Sequence, residues 1–454
     1  MKITIKILKL VILGIIASSC AREWLDEKSD KSLVIPTSLK DLQALLDNSS
    51  VMNSGRVPNL GEISADDYVV PAERWPTLSS WEKNAYLWRH KIFDDRDGEE
   101  NWNNSYQQIF YANLVLEGVR KVEIGSANQK EFNNVKGSAL FYRAFSYFNL
   151  AQVFCAAYDN ASSSLALGLP LRNSTSLEIE LERANLEVTY QFMLSDLLEA
   201  KTLLPDKATF ATRPSRAAAF ALLAKIYLIM GEYEKSYSNA DSCLQIYPEL
   251  IDFNDLQLTS NYPIARYNKE VIYHATMQIA PIITATRLNV APGLLSLYED
   301  NDLRYASFFR TVGPNVTFKG SYNGSSTLFA GLSTNEVYLI KSEALARLNQ
   351  DANSLQVLNN LLSHRYSEYT TVDIINNGEI VDLIITERRK ELPFRGVRWS
   401  DLKRLNLQLN HQSTLFREAD GEIYSLSPNS SRYVLPIPDL VVNLSTGIKQ
   451  NERN

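Results

Sequence analysis

Carboxylates, imidazoles, thiols and indoles are the side chains here that could carry chemistry, and their spacing limits what each can do. Glu387 and Glu391 stand four residues apart on a segment patterned as helix, so both fall on one face, as an acid/base pair would require. Their neighbours are basic (Arg388, Arg389, Lys390), which favours a fixed ion network over proton transfer. The run Asp94-Asp95-Arg96-Asp97-Gly98-Glu99-Glu100 resembles a calcium loop, but counting back five from Gly98 puts Phe93 where the first EF-hand ligand belongs. A solvated acidic loop is the expectation. His90, His274, His364 and His411 have no partner at a ligand spacing such as i,i+4, so no histidine metal site is expected, and no cofactor. Cys155 and Cys243 each lie in an apolar helical run; buried free thiols are expected, with one disulfide as the alternative.

The indoles are unevenly placed. Four of the six Trp, namely Trp75, Trp81, Trp88 and Trp102, fall within a single 28-residue window. Trp102 reads as core. Tyr68, Trp75, Trp81 and Trp88 lie in loop-like sequence, and an aromatic face there could stack on a sugar ring or cover a peptide backbone. The competing expectation is that they seal the loop against the body.

At the N-terminus Lys2, Lys6 and Lys9 precede the ten-residue run Leu10–Ser19, too short to span ~30 Å of hydrocarbon but suited to a secretory signal. Cys20 follows Ala17, Ser18 and Ser19, where a bacterial lipoprotein carries its lipid-accepting thiol. The expected organisation is a lipoprotein signal peptide over 1–19, a lipid-linked tether over 20–37 and a body over 38–454. Two or three acyl chains would anchor the protein firmly without a transmembrane helix.

The elements that position these residues are mostly helical. Ser38 with Asp41 three residues on is a capping signature before Leu42, Leu45 and Leu46. Residues 51–100 are rich in Gly, Pro, Asp, Asn and Trp without a sustained period and read as a long decorated loop region. Helical patterning then covers 103–122, 130–156, 186–204, 215–230, 233–247, 334–349, 352–365, 381–392 and 399–409. Phe220, Leu223, Ala224, Tyr227, Gly231, Tyr233, Ala240, Cys243 and Pro248 fit a tetratricopeptide unit of ~34 residues, with Ser236 off type where Ala is usual. A weaker copy starts at Tyr338, 118 residues later, with Leu345, Asn349, Leu358 and Leu361 at equivalent places. That gap predicts helical pairs broken by insertions rather than a contiguous solenoid. The largest insertion, 249–332, interleaves Pro, Gly and Asn with Tyr298, Tyr305, Phe308, Phe309 and Tyr322, and is where a binding surface is expected. The predicted fold is mainly α: tetratricopeptide-like helical pairs with long irregular loop insertions forming one large domain.

Composition narrows the function class. Apolar residues at 45% and charged residues at 22% match a folded globular chain. Lys and Arg number 46 against 52 Asp and Glu, a net charge of −6, so nucleic acid is not an expected partner.

Several stretches taken together resemble the SusD/RagB family of outer-membrane nutrient-binding lipoproteins. They are Trp24-Leu25-Asp26; Trp102, Tyr106, Ile109 and Asn113; and Arg143-Ala144 with Tyr147-Phe148 and Leu150. Thr212-Arg213-Pro214-Ser215-Arg216-Ala217-Ala218 is similar to the family's central motif, and Asn335-Glu336-Val337-Tyr338 through Glu343-Ala344 to a later one. The most recognisable block is Glu387-Arg388-Arg389, Glu391-Leu392, Gly396, Arg398-Trp399 and Asp401-Leu402-Lys403-Arg404. Leu435-Pro436-Ile437-Pro438, Asn443 and Gln450-Asn451 resemble the closing segment, without its usual final Pro-Gly. The Gly-Leu-Pro at 168–170 comes later than the family places it.

The resemblance implies a non-catalytic receptor, lipid-anchored in the outer membrane and exposed at the cell surface. It would capture an oligosaccharide or peptide and deliver it to a SusC-like TonB-dependent transporter. Two other classes stand beside it: a lipid-anchored tetratricopeptide scaffold of the envelope, and a glycan-cleaving enzyme using two carboxylates ~5–10 Å apart.

Overall fold

The computed structural model describes residues 36, 38–94, 99–176, 182–373 and 377–454. Cys20, the signal segment and nearly all of the tether lie outside these residues, as do Asp95–Gly98 of the acidic run.

Local sequence explains the helix starts. Ser38 opens α1 (Leu39–Leu46) with the expected box: its hydroxyl accepts from the Asp41 N–H, and the Asp41 carboxylate accepts from the Ser38 N–H, both at 3.2 Å. Residues 51–100 are more ordered than a decorated loop. They contain α2 (Leu60–Ser64) and α3 (Ser80–Tyr86), the latter opened by a second box in which Glu82 accepts from Ser79. Such short helices do not repeat an apolar period long enough to read. The long helices follow: α4 (Glu100–Val119), α5 (Gln129–Phe154), α6 (Leu186–Leu203), α7 (Arg216–Met230), α8 (Tyr233–Ile246), α9 (Thr334–Arg347), α10 (Asp351–Leu362), α11 (Asn377–Glu391) and α12 (Arg398–Leu405). None of the described helices is long and apolar enough to cross a membrane.

Each helix from α4 to α10 packs on the next. Helices α7 and α8 are joined by two residues and touch extensively, so they run antiparallel. Gly231 makes the turn in the left-handed region, φ 74°, a conformation that costs a side-chain-bearing residue about 1 kcal/mol or more. The second unit turns at Asn349, φ 59°, 118 residues on. The off-type Ser236 is explained by the same register. Its buried hydroxyl donates to the Ala224 carbonyl at 2.9 Å, and Ser354 donates to the Ser342 carbonyl at 2.8 Å, each pair 12 residues apart and offset by 118. One expectation is corrected: α8 packs directly against α9, so the two units are contiguous in space despite the gap. The 249–332 insertion leaves and returns beside the same helix pair.

The strands are short antiparallel pairs that staple loops. They are β1 (Tyr68–Val69) with β5 (Asn289–Val290), β2 (Leu167–Pro170) with β3 (Arg183–Asn185), β4 (Val271–Tyr273) with β8 (Leu332–Ser333), β6 (Phe309–Val312) with β7 (Asn315–Phe318), and β9 (Leu415–Ala419) with β10 (Glu422–Leu426). One apolar core runs through helices and loops alike. Cys155 and Cys243 are free and buried within it, and burial raises both thiols above their ordinary range.

The charged block after α10 is the expected ion network. Glu391 accepts from Arg365 Nε at 2.9 Å, Asn335 Nδ2 at 2.8 Å and Arg304 Nη1 at 3.2 Å. Glu387 pairs with Arg304 at 2.7 Å and Lys390 at 3.1 Å. All of these side chains are buried, so each charge is compensated where water cannot reach it.

Candidate binding site

The clustered aromatics surround a cation. Arg417 reaches in from β9 and sets its guanidinium 3.7 Å from the Tyr86 ring centroid, 4.6 Å from Trp88 and 5.4 Å from Tyr68. It donates to the carbonyls of Ile63, Tyr86 and Ala65. The Tyr68 hydroxyl donates to the Ile63 carbonyl at 2.8 Å, and the Trp88 indole donates to the Ser64 carbonyl at 2.9 Å. Trp75 packs 5.8 Å from Tyr86 and donates to Asp420 at 2.8 Å. Tyr68, Trp75 and Trp88 are among the residues read either as a contact surface or as a seal of the loop against the body. Tyr68 and Trp88 are 1% exposed and Trp75 8%, so their faces and polar handles are committed to the protein. Trp81, half-buried against the core, is the only one of the four with ring surface left. Trp102 is core as expected, stacked 4.7 Å from Tyr106.

Tyr68 of this cluster stands on β1, whose pairing with β5 joins two walls of a groove of about 260 Å³ on the loop face. Its first wall is Pro71–Arg74, just after β1; its second is Ala285–Asn289, leading into β5; its third is the β6–β7 hairpin through Arg310, Asn315 and Thr317. Backbone pairing of Tyr68 with Val290 and Val69 with Asn289 holds the first two walls together. Glu82 braces them by accepting from the Ile282 N–H at 3.0 Å. Asn289 Nδ2 donates to Asn315 Oδ1 at 2.8 Å and ties in the third wall.

Three guanidiniums line this groove. Arg287 donates to the Thr77 carbonyl at 3.1 Å and Arg310 to Asn261 at 3.3 Å. Among the described residues, none of Arg74, Arg287 and Arg310 is paired with a carboxylate, and Glu73 is the one acid in the lining. Sequence reading missed all three because Arg74 lies more than 200 residues before Arg287 and Arg310, and no local pattern links those two with each other or with it. The available signal was only the dense Gly, Pro and Asn content of the two loop regions.

A larger concavity of about 570 Å³ lies between α4, α5 and α6. Most of its charges are already engaged: Arg143 grips Asp196 bidentately at 2.8 and 2.7 Å, Lys136 pairs with Glu199 at 2.5 Å, and Glu117 accepts twice from Thr175, which leaves Arg120 at the exposed edge. A ligand seated among α4, α5 and α6 would compete with pairs already made, and Arg120 is the one cation of the lining without a carboxylate partner among the described residues. The loop-face groove offers unpaired donors and is the better candidate despite its smaller volume.

Comparison with known proteins completes the picture. Residues 23–228 match a SusD-like family model described as starch-binding, associating with outer membrane, and residues 323–453 match the SusD family model. SusD-like protein P38 of Formosa agariphila is 23% identical over 431 residues, covering 76% of this chain and 79% of the relative. SusD-like protein P2 of the same organism is 22% identical over 370 residues, covering 67% and 71%. Among solved structures, a putative sugar binding protein from Bacteroides vulgatus superposes with a TM-score of 0.75 at 20% identity, covering 92% of this chain and 99% of the other. A SusD superfamily protein from Bacteroides thetaiotaomicron gives 0.74 at 21% identity, covering 92% and 100%. The ordered motifs, the helical array and both family models converge, and the chain belongs to the SusD/RagB family.

Proposed function

We propose that this protein is a non-catalytic surface receptor that captures an oligosaccharide or peptide and passes it to a SusC-like TonB-dependent transporter of the outer membrane. The carrying observation is the loop-face groove, whose first two walls are joined by β1–β5 pairing, in a chain of this family. A preformed polar groove binds without reorganising, and capture followed by release needs no more chemistry than that. The relatives' descriptions as sugar-binding and starch-binding favour a saccharide. Anchoring would come from lipid on Cys20, since no described helix crosses a membrane.

Calorimetry of the mature protein against oligosaccharide and peptide panels, with chromatography of the mixture afterwards, tests the reading. Binding without new products is expected, whereas turnover of the ligand would return the enzyme class. In cells, acyl labelling of the mature N-terminus and recovery in the membrane fraction are expected, and Cys20→Ala should abolish both.

A further inference from the structure

The groove's charge bears on which nutrient it takes. Arg74, Arg287 and Arg310 converge on about 260 Å³ from three separate segments, against a single acid, Glu73, in a chain whose net charge is −6. Elsewhere the fold gives many of its arginines carboxylate partners, including Arg143, Arg304, Arg365, Arg388, Arg398 and Arg404. Guanidiniums brought together without counter-ions repel one another, and an incoming anion relieves that repulsion while accepting bidentate hydrogen bonds. The remaining lining is suited to hydroxyls. Asn289 and Asn315 spend one amide atom each on their mutual bond, which leaves an acceptor and a donor without partners among the described residues. The lining has no aromatic side chain, and a peptide needs side-chain pockets or an open strand edge for its specificity. Two of the three walls also fall in residues 229–322, which neither family model matches, so the family's starch-binding description does not extend to them.

From this we infer that the groove binds a negatively charged oligosaccharide, with carboxylate or sulfate groups held by Arg74, Arg287 and Arg310. The inference rests on the capture reading and names its ligand class.

The test uses the whole mature chain, three hexasaccharide-sized probes (an oligogalacturonate, a sulfated galactan fragment and neutral maltohexaose) and an acidic hexapeptide. One of the two acidic saccharides, which separates carboxylate from sulfate, should bind at least tenfold more tightly than maltohexaose, and its affinity should fall as salt rises. Arg74→Gln and Arg310→Gln, both on exposed side chains, should each weaken that binding about tenfold without moving the melting temperature. Equal or tighter binding of maltohexaose overturns the charge inference and leaves the capture reading standing. So does acidic binding that ignores both variants, since the site then lies elsewhere. Preference for an acidic peptide over every saccharide also overturns it. If neither saccharides nor peptides bind, the capture reading fails and takes this inference with it.

Discussion

Arg417 shows how one residue can account for a pattern that sequence alone leaves ambiguous. Its guanidinium meets three aromatic faces and three backbone carbonyls in the core, so Arg417→Ala would strand those carbonyls and empty the box. A loss of about 3–5 kcal/mol in urea unfolding is expected. Trp81→Ala, at a half-buried position, should cost under about 2 kcal/mol in the same measurement. If the two variants proved equally mild, the box would not be the organiser of this region. Glu62 makes a second prediction at this scale. Burial, with Asp67 nearby, pushes its carboxyl up to about 8, although the Gly396 N–H donates to it at 2.8 Å. The folded state therefore holds a proton that the unfolded chain releases near pH 4.5. Stability from this group is full below that pH and is lost as pH rises through about 8. Glu62→Gln keeps an acceptor for Gly396 and cannot ionise, so it should be more stable than the parent at pH 9, by a few kcal/mol, and near parity at pH 4. A constant difference across that range would refute the assignment.

At the scale of elements, the two tetratricopeptide-like units share turn geometry, hydroxyl bonds and register, yet use different residues at the turn. A Cβ at position 231 meets no other atom within 4 Å, so Gly231→Ala should cost only the left-handed backbone penalty, about 1–2 kcal/mol. Asn349→Gly at the equivalent turn should change stability by less than about 1 kcal/mol, because Asn tolerates the left-handed region better than other residues do. Thermal melts of both variants check the equivalence, and a damaging Asn349→Gly would contradict it. The long helices were legible because their apolar residues recur through several turns. Helices α2 and α3 were not, although the Ser79/Glu82 capping box was present in the sequence, because a helix of two turns or fewer shows too few repeats to separate from a loop.

At the scale of the whole molecule, buried ion pairs join segments that are far apart in the chain. Glu336 on α9 pairs with Lys225 of α7 at 2.9 Å and with Arg388 of α11 at 3.1 Å. Arg388 continues to Asp401 of α12 at 2.8 Å, Arg404 bridges Asp401 and Glu343, and Arg398 reaches Asp66 beside β1 at 2.7 Å. Burial alone would raise the Asp401 carboxyl, but Arg388 and Arg404 outweigh it and hold it at about 2. Glu336, Glu343 and Asp302 are likewise held below the ordinary range by their cationic partners despite burial. Depressed carboxyls stabilise above the unfolded value near 4, and that stability is lost as pH falls through the folded value. The protein should therefore lose stability steeply between about pH 4 and pH 2, and Asp401→Asn should flatten part of that slope while lowering stability at pH 7. Unfolding curves by circular dichroism across this range decide it. An acid limb unchanged by Asp401→Asn would remove the network from the explanation.

The sequence by itself determined the helical class, most long-helix bounds to within a few residues, the register of the repeat and the ionic character of the block around Glu387. These are local: apolar periodicity, caps and i,i+4 spacing act over a few turns of chain. Tertiary structure alone decided that two units 118 residues apart stack directly, that Tyr68, Tyr86 and Trp88 enclose Arg417, and that Arg74, Arg287 and Arg310 share one groove. Whether an aromatic faces solvent or a cation depends on what packs over it. Arg417 lies more than 300 residues beyond the three rings it meets, a distance across which no local pattern carries information.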